Sequence, residues 1–336
     1  MVSKKQLLGL YLIFLTGLVG DSLAQQPNPV RRTGDPRVFV SDNYCHAAPT
    51  YGQTYDSLWA LITRRDSVFS AQVQQRFSKR SRSVAADLGI VELLDRFVGL
   101  EQVATRDSSA TNRLNLMVLR QQIQERISVG TLELSGVLIE LECEQDRTIE
   151  LKNYLDAQAG TRTNRRTIVS IVAGALTAVV SGVLTLVRAD DRLTQGLAIG
   201  GSAFSSYWGF RALKGEARHP FSHRRNHLRD IVENPTVSRV YPPVVWHYIS
   251  RELEGLPTVR EVVVERWQEL DLLGGVTPVQ RRKRFEMVFG NGGTYEADDA
   301  NVRISLIDLL ESEVGLMNQE MKQLQQELLL PNQDGR

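Results

Sequence analysis

The sequence predicts an all-α fold: a helical bundle with a central hydrophobic, transmembrane-type helical hairpin and a C-terminal heptad helix. Apolar residues recur at helical spacing through most of the chain, and no Pro interrupts residues 51–219. Two long uncharged segments lie near the middle. The composition, 42% hydrophobic and 24% charged, is that of a folded protein and excludes a largely disordered chain.

The first 24 residues have the pattern of a signal peptide. Lys4 and Lys5 precede an apolar core at residues 7–19, and Ser22 and Ala24 supply the small residues of a cleavage site. The alternative is an uncleaved anchor, although this core is short for a membrane span. We therefore expect export to the cell envelope, with the main helical domain outside the cytoplasm. Cleavage would leave a formally neutral chain, which argues against nucleic acid as a partner.

The rest of the chain divides into five parts by composition and periodicity. They are an extended lead-in at 25–50, an N-terminal helical bundle at 51–164, a Gly/Ser-rich hydrophobic hairpin at 165–213, short helices and turns at 214–296, and a C-terminal amphipathic helix at 297–330.

Two local patterns refine this division. Residues 84–103 have the spacing of one continuous helix, with Leu88, Val91 and Leu94 on a single face. Alternation at 284–289, followed by Gly-rich residues 290–293, permits a small β-hairpin within 284–296.

The chain has two cysteines, Cys45 and Cys143. In an oxidising compartment an isolated pair is a candidate disulfide, which would tie the lead-in to a helix about a hundred residues later. The alternative is two free buried thiols.

The hairpin prediction starts from residues 167–187, an uncharged stretch of 21 residues. As a helix it would be about 31 Å long, close to the ~30 Å hydrocarbon core of a bilayer. A weaker uncharged segment follows at 193–210, after a short charged link. The alternative is a central helix buried in a soluble bundle.

Small residues recur every four positions in both segments, a glycine-zipper spacing that lets two helices approach closely. The expected packing positions are Ser170, Gly174, Ala178, Gly182, Gly196, Gly200, Gly201, Ser205 and Gly209. The expected interfacial residues are Arg165, Arg166, Tyr207, Trp208 and Phe210. With a cleaved signal peptide the basic flanks of the hairpin would lie outside, against the positive-inside rule. A hairpin that stays hidden in the fold during export therefore remains an open alternative.

A heptad pattern of apolar residues marks the C-terminal helix. Its a/d seam consists of Ile307, Leu310, Val314, Met317, Met321, Leu324 and Leu328. The seam predicts packing on the chain's own bundle or, alternatively, an intermolecular coiled coil.

The sequence carries no catalytic signature, and we expect no catalytic residue, no cofactor and no metal. His219, His223 and His227 are spaced by four and could share a helix face, but no acidic residue completes a zinc motif. A cationic helix beside the membrane is the preferred interpretation of this basic segment.

These patterns predict a non-enzymatic, envelope-associated membrane protein, a helical scaffold or component of an envelope complex. Its expected partners are the lipid bilayer and either a second copy of the chain or another envelope protein; no small-molecule substrate is indicated. The alternative function is a secreted α-helical pore-former that inserts residues 167–210 into a target membrane. A third, an envelope hydrolase, would rest only on His223 and His227.

Overall fold

The computed structural model describes Cys45, residues 69–186, Ala203, Ser206, Tyr207, and residues 217–330 apart from 253–255, 272, 275 and 276. Within the first long range, the side-chain surroundings of residues 173, 177 and 179–186 also fall outside the description. The predicted signal peptide at 1–24 lies outside the described residues, as does the lead-in apart from Cys45.

The described chain is mostly helical with one small antiparallel sheet, which confirms the all-α fold class in outline. The helices are α1 Ala71–Arg76, α2 Lys79–Asp87, α3 Val91–Arg106, α4 Ala110–Leu186, α5 His227–Glu233, α6 Pro243–Ser250, α7 Val259–Glu269, α8 Pro278–Phe289, α9 Ala297–Gly315 and α10 Met317–Leu329. The strands are β1 His219–Ser222 and β2 Gly292–Tyr295.

The prediction of one helix over 84–103 is wrong. α2 ends at Asp87, and α3 begins three residues after Leu88. The reason is Gly89, whose φ of 65° is a left-handed conformation that glycine adopts without steric cost. The backbone N–H groups of Gly89 and Ile90 bond back to carbonyls of α2, which ends the helix and turns the chain.

α4 is the longest described element, with 77 residues. Ser109 caps its start, because the Ser109 hydroxyl oxygen accepts from the Asn112 backbone N–H at 3.4 Å. Its first half buries apolar residues at helical spacing: Leu119, Ile123, Ile127, Leu134, Val137, Leu141, Leu151 and Leu155. After Leu155, no described side chain of α4 is buried. Across the described part of the chain, no helix has both the length and the apolar character needed to cross a membrane.

The C-terminal segment forms two successive helices rather than the single predicted one. α9 ends at Gly315 and α10 starts at Met317, while Leu316 between them keeps a right-handed helical conformation. All seven predicted seam residues are at most 2% exposed, so they are buried within this chain. α9 packs along α4, and α10 packs against α2 and α4.

The small sheet differs from the predicted β-hairpin within 284–296. β2 pairs with β1, more than sixty residues upstream, with His219 opposite Tyr295 and Ser222 opposite Gly292. Residues 284–289 belong to α8, which starts at a capping box between Thr277 and Gln280. The buried residues of α8 are Met287, Val288 and Phe289 at its C-terminal end, and the strand begins after Gly290, at Gly292.

Candidate functional site

The distal part of α4 begins an excursion that leaves the bundle and returns to the same place. The Tyr154 and His219 rings meet edge to face, with their centroids 5.4 Å apart. Residues 155–218 therefore start and end at one point of the bundle. The outward arm is continuous helix to Leu186, a length of about 48 Å beyond Tyr154.

The outward arm exposes large apolar side chains. Ile168, Val169, Ile171, Val172 and Leu176 are 39–64% exposed. Four residues of the same arm are half-buried: Thr163, Arg166, Ser170 and Gly174. They step by three or four residues, so they share one face of the helix, which differs from the face of the exposed apolar side chains. Exposed apolar clusters of this kind mark protein or membrane contacts.

The described residues cover only part of the predicted hairpin. Arg165 and Ala178 are exposed, and Arg166, Ser170 and Gly174 are half-buried. Tyr207 is helical and 55% exposed. Gly182 lies in α4, but its surroundings fall outside the description. The remaining positions lie outside the described residues: Gly196, Gly200, Gly201, Ser205, Trp208, Gly209 and Phe210.

The predicted disulfide between Cys45 and Cys143 is confirmed. The S–S distance is 2.00 Å and the two Cα atoms are 6.0 Å apart, both ordinary values. The bond fastens the chain before α1 to the middle of α4.

A buried polar cluster around Arg303 joins α4, α9 and the small sheet. The Arg303 guanidinium is 1% exposed and donates to Asn226 Oδ1 at 3.2 Å, to the Val288 carbonyl at 3.1 Å and to Glu144 Oε2 at 3.4 Å. Arg147 pairs with the other oxygen of the Glu144 carboxylate at 2.5 Å. Each charge therefore has a partner, as a buried charge requires.

His223 belongs to the same region and is neutral. Its Nε2 lies 2.7 Å from the Tyr295 hydroxyl, and its ring packs edge to face on Phe221 and Tyr295. Burial, followed by the charge of Arg303, holds the pKa of the His223 imidazole far below its usual range. Burial likewise raises the pKa of Tyr295 to about 12.

A second polar cluster fastens α6 to α2 and α10. The fully buried Asp87 carboxylate contacts His247 Nδ1 at 2.7 Å through one oxygen and Arg251 Nη1 at 2.6 Å through the other. Arg251 also donates to Glu320 Oε2 at 3.1 Å. Burial raises the pKa of the Glu320 carboxyl. A His–Asp pair can orient a general base, but no described Ser, Thr or Cys bonds to the His247 side chain.

A cavity of about 390 Å³ opens beside this cluster, between α6, α7 and α10. Arg251 and Glu320 form part of its wall and already satisfy each other. We assign it no ligand.

The three histidines considered as a half-site do not share a helix. His219 is in β1, His223 follows that strand, and His227 starts α5, where it pairs with Glu140 at 3.2 Å. Within the described residues no group of three or more His, Cys, Asp or Glu could hold a metal ion. The segment is thus neither the shared helical face nor the cationic helix expected from the sequence.

Sequence reasoning missed both polar clusters, although a sequence signal exists for the cluster around Arg303. Arg303 lies four residues before Ile307 and so is in phase with the apolar seam, and Glu144 lies three residues after Leu141. A charged residue in phase with buried apolar positions indicates a buried ion pair.

Comparison of the chain with protein-family models, with curated proteins and with solved structures gives no match.

Proposed function

We propose that this chain is a non-enzymatic, membrane-associated scaffold of the cell envelope, whose helical bundle is attached to the bilayer by the excursion of residues 155–218. The observation that carries the proposal is the contact between Tyr154 and His219, which closes an excursion whose outward arm exposes apolar side chains. Export to the envelope rests on the signal-peptide pattern of residues 1–24.

The order of residues along the excursion supports this proposal. Arg166 lies twelve residues after Tyr154, and Tyr207 lies twelve residues before His219. Arg166 lies about 18 Å along the helical outward arm from Tyr154, where a headgroup layer would meet a basic residue. The uncharged residues 167–187 follow beyond that level.

The exposure of the outward arm favours an anchor over the alternative, a pore-former that hides its hairpin until it meets a target membrane. Ile168 and Ile171 are 61% and 64% exposed, whereas a hidden hairpin would bury such side chains. An anchor of this kind has no need of a catalytic group, and no part of the proposal uses one.

Fractionation of the native cells tests the proposal. We expect the mature chain to stay in the membrane pellet after an alkaline carbonate wash, and the double variant Ile168→Glu/Ile171→Glu to be released. The matched control, Leu270→Glu/Val279→Glu, changes two exposed apolar residues of the bundle and should remain in the pellet.

Recovery of the unmodified chain in the soluble fraction would contradict the anchor. Leakage of dye from liposomes treated with that soluble chain would then support the pore-former. Release of both double variants alike would show that retention does not depend on the excursion.

A further inference from the structure

Three arginines of the outward arm lie immediately before its uncharged stretch. Arg162, Arg165 and Arg166 follow Tyr154 by 8, 11 and 12 residues, which places them about 12–18 Å along α4 from the contact with His219. Arg162 and Arg165 are exposed, and Arg166 is half-buried. We call these three arginines the basic patch.

The basic patch continues the face on which the outward arm exposes its apolar side chains. Arg165 precedes the exposed Ile168 and Val169 by three and four residues, so the three side chains are neighbours on one side of the helix. Arg162 precedes Arg165 by three residues and extends that side toward the bundle. The exposed face therefore changes from cationic to apolar with distance from the bundle, which is the order of headgroups and acyl chains on entering a bilayer.

The excursion as a whole is rich in positive charge. Residues 155–218 contain eight Arg or Lys and four Asp or Glu, a net charge of +4 in a chain whose formal net charge is +1. The outward arm contributes to this excess, because residues 157–186 include the three arginines of the basic patch and no Asp or Glu. An anionic partner would balance this charge.

Cations nearer the bundle are neutralised by the chain's own acids. Lys152 pairs with Asp156 at 2.9 Å, and Arg218 pairs with Glu296 at 2.5 Å. Arg165, in contrast, forms no ion pair with any residue that the structure describes. The exposed guanidinium is therefore available to an anion outside the bundle, beside apolar side chains that also need cover.

We propose that the basic patch binds the headgroups of anionic lipids, so that the excursion favours acidic over zwitterionic lipid on the side of the membrane nearest the bundle. The inference rests on the proposed membrane anchor and names the class of lipid that it selects. A guanidinium suits this role because its planar donors match the oxygens of a phosphate. Each arginine beside an anionic surface strengthens binding about fivefold.

A lipid competition on the purified chain tests this proposal. The full, oxidised chain is immobilised through a C-terminal tag in nonionic detergent, with equal amounts of phosphatidylglycerol and phosphatidylcholine that have identical acyl chains. After a wash at low ionic strength, the retained lipids are extracted and quantified by mass spectrometry. One variant removes the charges of the basic patch: Arg162→Gln/Arg165→Gln/Arg166→Gln. The matched control removes three exposed charges from α8: Arg281→Gln/Arg282→Gln/Lys283→Gln.

We expect the unmodified chain and the α8 control to retain phosphatidylglycerol at least about tenfold over phosphatidylcholine, and the variant of the basic patch to retain the two lipids about equally. Equal retention of both lipids by the unmodified chain overturns this inference and leaves the anchor in place. Retention of neither lipid contradicts the anchor itself. A preference that survives in the variant of the basic patch, or that is lost in the α8 control, overturns the assignment to these three arginines.

Discussion

Arg303 is the residue whose surroundings say most about how this bundle is held together. Its guanidinium is almost fully buried and reaches Glu144 on α4 and backbone and side-chain acceptors beside the sheet. Burying an ion pair gains little net free energy, but removal of one partner leaves an uncompensated charge. The cluster therefore penalises any arrangement in which α9 and α4 are out of register.

The substitution Arg303→Met should lower the free energy of unfolding by about 3–5 kcal/mol, because the Glu144 carboxylate keeps only Arg147 as a partner. The control Arg282→Met removes an exposed pair with Glu286 and should change stability by less than about 0.5 kcal/mol. Urea titration at pH 7 measures both. Equal, small effects would show that the cluster does not specify the packing.

Glu133 on α4 gives a prediction about pH. Burial raises the pKa of its carboxyl from 4.5 to about 7, and one of its oxygens is buried without a hydrogen-bond partner among the described residues. The folded state therefore binds this proton more tightly than the unfolded chain does. The resulting stability is present below pH 4.5 and is lost as the pH rises through 7.

The variant Glu133→Gln should remove this loss of folding stability at rising pH. Relative to the unmodified protein it should gain about 1–2 kcal/mol between pH 5 and pH 8, a range reduced for partial solvent screening of the carboxyl. The control Glu125→Gln changes an exposed carboxylate of the same helix. Burial lowers the pKa of His223, so its contribution to stability has the opposite dependence on pH. The difference in unfolding free energy between the variant and the unmodified protein cancels that contribution. If the difference in unfolding free energy does not change with pH, the raised pKa of the Glu133 carboxyl is contradicted.

At the scale of elements, the backbone of the small sheet depends on Gly292. Its φ is 101°, and a Cβ atom there would lie 2.2 Å from the Phe221 carbonyl oxygen of β1. L-residues adopt this conformation only with strain, so the pairing of β1 with β2 requires glycine.

Gly292→Ala should destabilise the protein by about 2–3 kcal/mol, since the strand must both strain and shift. Gly99→Ala is the matched control: it lies within α3 with nothing within 4 Å of the added carbon, and should stabilise by up to about 1 kcal/mol. Thermal unfolding followed by circular dichroism distinguishes the two. Similar shifts in both variants would mean that the sheet carries no strain at this position.

At the scale of the whole molecule, the excursion can be separated from the bundle. No described side chain of α4 is buried beyond Leu155, and the two ends of the excursion meet at Tyr154 and His219. The stability of the bundle should therefore come from contacts that do not involve the excursion.

Replacement of residues 160–214 by a short Gly/Ser linker should leave cooperative unfolding in place, with a midpoint within a few degrees of that of the full chain. The same protein should lose its retention in carbonate-washed membranes. The measurements are thermal unfolding and fractionation of one sample. Loss of the cooperative transition would show that the excursion contributes to the core.

The local patterns by themselves predicted the helical class, the seam from Ile307 to Leu328 and the pairing of Cys45 with Cys143. Each of these follows from residue type and spacing, because a 3.6-residue period or an isolated cysteine pair has few alternatives. The same information placed the apolar outward arm of α4, although its interpretation as a membrane anchor remains a proposal.

Only the tertiary structure decided where helices end, which strands pair and which charges are buried. The break at Gly89 depends on a left-handed conformation that spacing does not reveal. β1 meets β2 because α4, α8 and α9 bring together segments more than sixty residues apart, and Arg303 can be buried because Glu144 arrives from a distant helix. Periodicity reports the face that each segment buries, whereas the partner of that face depends on contacts far apart in the chain.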